Sequence, residues 1–138
     1  MKKLGIALFL LVFFIGACAT VSQKVTMTPN DLSLLKGKWA GSRDIRMGHA
    51  RTLDNVDMEI FNDSIPVKGE IDIYFLAGTD TRSYSFENGS IDGDGNLSIQ
   101  LTDVNKINLS LYREGEKMKL DGYYWHRDAR GRLTLSKK

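Results

Sequence analysis

The 138-residue sequence predicts an all-β fold: an eight-stranded antiparallel up-and-down barrel preceded by a short N-terminal helical turn, with a β-sandwich as the alternative. Three observations carry this expectation. From residue 38 onward apolar side chains recur at every second position, turn-forming clusters separate the runs at short intervals, and beyond residue 36 no stretch carries a sustained helical stripe. Alternation of period two marks strands with one buried and one solvated face. Short links join antiparallel neighbours. The composition agrees with a single globular domain, at 42% hydrophobic and 26% charged residues with only 2 Pro and 13 Gly. It excludes full disorder, collagen-like repeats and, at this length, a multidomain enzyme.

The chain opens differently. Lys2 and Lys3 precede a nearly unbroken apolar run from Leu4 to Ile15. In a helix that run spans roughly 18 Å, short of the ~30 Å hydrocarbon core, so residues 1–17 read as a secretory signal rather than a permanent span. Ala19 to Met27 is small, polar or β-branched and reads as an extended tether, 18–27 with its cysteine, able to reach about 30 Å. Thr28-Pro29-Asn30-Asp31-Leu32-Ser33-Leu34-Leu35 reads as one or two helical turns. Thr28 supplies the N-cap, Pro29 the first helical position and Gly37 the stop.

Residues 28–138 form the barrel domain. The first strand covers Lys38–Met47, and inward positions then recur at Val56, Met58, Ile60; Val67, Ile71, Ile73, Phe75; and Tyr84, Phe86. They continue at Leu97, Ile99, Leu101; Ile107, Leu109, Leu111; Met118, Leu120, Tyr124; and Leu133, Leu135. Asn62–Pro66, Ala77–Asp80, Asp92–Asn96, Arg113–Glu116 and Arg127–Gly131 supply the turn residues between them. Eight such strands hide one apolar face either by closing into a barrel or by folding into two layers, and closure leaves no edges.

Two resemblances add to this reading. Ile15-Gly16-Ala17-Cys18 resembles the lipobox of bacterial lipoproteins. The resemblance implies cleavage before Cys18, a diacylglyceryl group on its sulfur, and membrane attachment through that lipid in the cell envelope. Ala19 rather than Asp implies the outer membrane, facing the periplasm, where the host has one. Cys18 is the single cysteine and so has no disulfide partner. Loss of residues 1–17 would leave 17 of the 19 basic residues against 17 acidic ones, which removes the global electrostatic case for nucleic acid. The C-terminal cluster of Arg127, Arg130, Arg132, Lys137 and Lys138 reads as a solvated end, or as a contact for anionic lipid or lipopolysaccharide phosphates.

Leu35-Lys36-Gly37-Lys38-Trp39-Ala40-Gly41 is similar to the Gly-x-Trp opening shared by lipocalins, avidins and fatty-acid-binding proteins, the calycins. The resemblance implies that Trp39 seals the closed end of a barrel and that a late arginine, Arg132, packs over it. The sequence departs from lipocalins in its length and in having no helix pattern after the last strand. With only Trp39 and Trp125 present, the aromatic biotin box of the avidins is not supported.

An up-and-down barrel sorts its loops to two ends. The tether, Asn62–Pro66, Asp92–Asn96 and Arg113–Glu116 share one; Met47–Ala50, Ala77–Thr81, Asp103–Asn105 and Arg127–Gly131 share the other. His49, His126, Asp80 and Asp103 fall at the second end, but no short ligand spacing makes them a metal site, and no metal is expected. Asp92-Gly93-Asp94-Gly95-Asn96 lacks the downstream clamp of a calcium loop and reads as a hairpin turn. Arg43 shares the parity of Trp39 and Ile45 and so points inward, where a cation needs a partner carboxylate, a bulge, or a ligand's carboxylate or phosphate. Tyr123, Trp125 and Tyr74 have outward parity and mark either a partner surface or a seat for the tether or helix.

No nucleophile–base constellation and no phosphate loop emerges, so a non-enzyme without cofactor is expected. The sequence supports a lipid-anchored binding module for a small apolar or amphipathic ligand, with Arg43, Tyr124 and His126 as polar contacts. The alternative is a filled-core envelope protein that binds or inhibits another protein through loops or outer aromatics. A cavity of about 300 Å³ or more would favour the first.

Overall fold

The computed structural model describes residues 20–76 and 80–138; the expected signal segment 1–17, the expected lipidation position Cys18, Ala19, and Ala77–Thr79 of one loop lie outside them. A three-residue strand β1 (Gln23–Val25) and a 3-10 turn (Pro29–Leu34) precede eight longer runs. These are β2 (Gly37–Met47), β3 (Ala50–Ile60), β4 (Val67–Tyr74), β5 (Thr81–Ile91), β6 (Leu97–Gln100), β7 (Asn105–Glu114), β8 (Lys117–His126) and β9 (Ala129–Lys137). Each of β2 to β9 pairs antiparallel with the next, and β9 returns to pair with β2, so the eight close into a barrel. The sandwich alternative is thereby excluded.

The closing seam depends on a close backbone approach. Gly41 of β2 pairs with Leu135 of β9, and a Cβ at Gly41 would collide with the Thr134 carbonyl oxygen. Only glycine allows the two strands to meet at that separation.

Part of the expected tether belongs to the wall. Gln23, Lys24 and Val25 pair with Arg113, Tyr112 and Leu111 of β7. The reason lies in β6, whose pairing with β7 ends at Leu109. The remaining edge groups of β7 need partners, and the N-terminal segment supplies them. Met27 completes the splice: its amide donates to the Gly95 carbonyl at 3.1 Å, and its side chain is buried. Upstream, Thr20 lies beside Gly115 in the β7–β8 turn.

The 3-10 turn plugs the adjacent end. Asp31 accepts from the Thr28 amide at 2.8 Å while the Thr28 hydroxyl accepts from the Asn30 amide at 3.3 Å, a reciprocal cap. Leu32, Leu35 and Trp39 are buried beneath it, and the Trp39 indole donates to the Leu35 carbonyl at 2.7 Å. The cation over Trp39 is Lys137, 5.5 Å from the ring, not the expected Arg132. Lys137 is the direct register partner of Trp39 and also donates to the Leu34 carbonyl at 2.7 Å. Arg132 has the opposite parity to the inward Leu133 and Leu135, so it lies outside and binds Asp121 at 2.6 Å.

The interior from this plug past the middle of the barrel is filled by apolar side chains on every strand from β3 to β9, among them Met58, Ile71, Phe86, Leu97, Leu109, Leu120 and Leu135. Small barrels are commonly packed solid in this way. Apart from the half-buried Lys137 over Trp39, the charged side chains buried among the described residues, Arg43 and Asp54, lie toward the opposite end.

Candidate functional site

The open end is framed by the β2–β3, β4–β5, β6–β7 and β8–β9 connections. Within it lies a cavity of about 200 Å³, lined by Arg43, Ile45, Met47, Phe75, Arg82, Tyr84, Tyr124 and His126. The three residues assigned to ligand contact from the sequence, Arg43, Tyr124 and His126, therefore meet in one space. Each arrives there by strand parity: Arg43 and Ile45 from β2, Tyr124 and His126 from β8, Arg82 and Tyr84 from β5.

Arg43 forms the charged floor. It is 5% exposed and faces Asp54, its register partner on β3, which is 0% exposed. Both Nε and Nη2 donate to Asp54 Oδ2, at 3.1 and 2.6 Å. The Thr52 hydroxyl donates to the same oxygen at 3.3 Å. Asp54 Oδ1 is buried without a partner among the described residues. The guanidinium carbon also sits 4.7 Å from the Tyr124 ring centroid and 5.3 Å from that of Phe75, a geometry that favours a cation. The partner carboxylate thus neutralises the charge that parity forces inside.

Tyr124 stands beside it, 1% exposed. Burial pushes its phenol up to about 12, and the neighbouring Tyr84 adds to the rise while the Arg43 charge opposes it. The hydroxyl is therefore a neutral donor across the physiological range. His126 closes one side of the mouth, its Nδ1 2.7 Å from Oδ1 of the buried Asn105. A proton on Nδ1 satisfies that contact and leaves Nε2 free.

Arg82 occupies the rim. It is exposed, lies 5.4 Å from the Phe75 ring centroid, and makes no ion pair among the described residues. Among the described residues it is the cation at this cavity that makes no ion pair with a carboxylate. Arg82 and Asp54 were not among the residues singled out from the sequence, although both carry the parity signal of Arg43. Arg82 is in step with Tyr84 and Phe86, and Asp54 with Val56 and Met58.

The remaining candidates lie apart. His49 is exposed on the β2–β3 turn, and Asp80 and Asp103 are exposed. Among the described residues no three His, Cys, Asp or Glu side chains gather into a metal-binding group. In the Asp92–Asn96 turn, Asp92 Oδ1 accepts from the amides of Asp94 and Asn96 at 3.0 and 2.9 Å, and Oδ2 from Asn108 at 2.8 Å. Its oxygens serve the turn. Burial works against the Asp92 carboxylate, but these hydrogen bonds outweigh it and hold the group below its ordinary range.

On the outer wall, Tyr123 and Trp125 pack together with ring centroids 5.7 Å apart. Arg130 lies 4.5 Å from the Tyr123 ring and Lys106 5.1 Å from the Trp125 ring. They cover neither the N-terminal segment, which pairs with β7 at the other end, nor the 3-10 turn. No helix of the described residues is long and apolar enough to cross a membrane. Comparison with protein families, curated proteins and solved structures finds no match to this chain.

Proposed function

We propose that the protein is a lipid-anchored envelope lipoprotein whose barrel binds a small amphipathic anion in the open-end cavity, without transforming it. The observation that carries the ligand reading is the pairing of an apolar wall (Ile45, Met47, Phe75) with a cation, Arg82, that makes no ion pair among the described residues, at the mouth of the same cavity. Tyr84, Tyr124 and His126 add hydrogen-bonding groups. Apolar surface combined with placed polar groups is what ligand sites use to fix orientation.

At about 200 Å³ the space falls short of the ~300 Å³ set above as favouring a binding module, so size alone does not select this reading over the filled-core alternative. It is above the ~150 Å³ engineered cavity that takes benzene, which narrows the ligand class. The fitting ligand is one ring or a short alkyl chain bearing a carboxylate or similar acid. Arg43, already bound to Asp54, lies under the ligand, and Arg82 takes its acid group. The calycin-like Gly-x-Trp opening supports this reading as fold-level analogy only.

The lipobox-like Ile15–Cys18 segment supports anchoring at Cys18, with the membrane as partner and the outer membrane as the compartment that Ala19 implies. Because Thr20 lies at the plugged end, an anchor at Cys18 turns the cavity away from that membrane. Native mass spectrometry of the mature chain, purified without refolding, tests the ligand reading. A co-purifying species of small mass that is lost on denaturation is expected. An empty protein that also fails to take up added hexanoate or benzoate contradicts it.

A second reading rests on the Tyr123–Trp125 pair. Flanked by Arg130 and Lys106, it suits an acidic surface on another envelope protein. Crosslinking from position 123 separates the two readings.

A further inference from the structure

We propose that the Phe61–Pro66 loop seats the plugged end of the barrel in the headgroup layer of the bilayer that carries the lipid anchor. The inference rests on the anchoring reading above and adds a second point of membrane contact to it.

Phe61 and Ile65 are 50% and 48% exposed, although both are large and apolar. The loop between them does not collapse to hide them, because Asn62 holds it open. The Asn62 side-chain amide donates to the Ser64 carbonyl and hydroxyl, both at 3.1 Å, and to the Pro66 carbonyl at 2.9 Å. Its oxygen accepts from the Lys68 amide at 2.8 Å, and the Phe61 amide donates to the Lys68 carbonyl at 2.9 Å. A preorganised display of this kind loses little conformational freedom on insertion.

The position of the loop identifies what it meets. The β3–β4 and β7–β8 connections lie at the same end, four strands apart in a ring of eight, and so on opposite sides of one rim. Thr20 and the exposed Val21 reach that rim at the β7–β8 side. A single residue, Ala19, lies between Cys18 and Thr20, so the two positions are within a reach of about 7 Å. A lipid on Cys18 therefore draws one side of the rim to the bilayer, and Phe61 and Ile65 meet it on the other. Aromatic and aliphatic side chains held at the interface gain by burial among headgroups and acyl boundaries. Exposed Asp63 and Lys68 remain among the zwitterionic headgroups. Two contacts across a rim hold the barrel upright, which a single tether does not.

The test uses the full chain, processed and reconstituted in phosphatidylcholine vesicles, with a fluorophore on Ser64→Cys or, in a second protein, on Asp128→Cys at the open end. Flotation reports anchoring, and quenching by brominated lipids reports depth. The expected result is flotation of both proteins with quenching at least threefold stronger at position 64. Phe61→Ser with Ile65→Ser should bring that quenching down to the level at position 128 without affecting flotation. Flotation with equal, weak quenching at both positions overturns the seating and leaves the anchor standing. Failure to float overturns the anchor and the seating together.

Discussion

Arg43 and Asp54 meet at 2.6 Å inside the barrel, directly opposite one another on β2 and β3 and both shut off from water. A pair in such surroundings gains Coulomb energy but has surrendered the hydration of two ions, so its net worth is small while the loss of one partner is severe. Asp54 Oδ1 already has no hydrogen-bond partner among the described residues. Arg43→Leu should therefore destabilise the fold by about 3–5 kcal/mol. Arg43→Leu with Asp54→Leu should recover most of that loss. Urea denaturation of the three proteins checks it, and a single variant as stable as wild type would show that the pair is not buried in solution.

Arg82 is the better handle on binding, because among the described residues it makes no ion pair at the cavity mouth. Arg82→Gln should change stability by no more than about 0.5 kcal/mol. Affinity for hexanoate should fall about tenfold, the scale of one charge-assisted hydrogen bond. Affinity for hexanol should stay as it was. Isothermal titration with the two ligands measures the difference.

Tyr124 predicts an alkaline limit. Its phenol is held up to about 12 in the native protein, against about 10 in an unfolded chain. The folded state thus keeps a proton that the unfolded state releases. The stabilisation is fully present below pH 10 and is lost as pH rises toward 12. Absorbance at the phenolate band should show one tyrosine titrating last, and Tyr124→Phe should abolish that step and flatten the decline in melting temperature between pH 10 and 12.

Barrel closure can be probed at one residue. A methyl group at Gly41 has no room against β9, so Gly41→Ala should destabilise by about 1–3 kcal/mol. Hydrogen exchange should quicken first at the β2–β9 pairs, Trp39–Lys137 to Ile45–Gly131. Uniform exchange across all strands would place the weak seam elsewhere.

Parity made much of this architecture legible. The same two-residue step that put Trp39, Arg43 and Ile45 on one side of β2 is the one that brings Arg43, Tyr124 and His126 into one cavity. It failed where the deciding contact was long-range. Nothing local in Gln23-Lys24-Val25 distinguishes a strand from a tether; the shortness of β6, which leaves part of β7 unpaired, makes it one. The partner of Trp39 was misplaced for a related reason. Arg132 and Lys137 are both late cations, and only the β2–β9 register sets Lys137 opposite the indole. Arg82 was missed because a charged residue near a turn reads as solvated, although its step with Tyr84 and Phe86 already aims it at the mouth.

Nuclear magnetic resonance titration of the mature protein with hexanoate bears on the binding account most directly. The account predicts saturable shifts in the side chains of Arg82, Tyr84, Tyr124 and His126, with Trp39 and Leu35 at the plugged end unmoved. Shifts that never saturate, or that gather at Tyr123 and Trp125 on the outer wall instead, would contradict it.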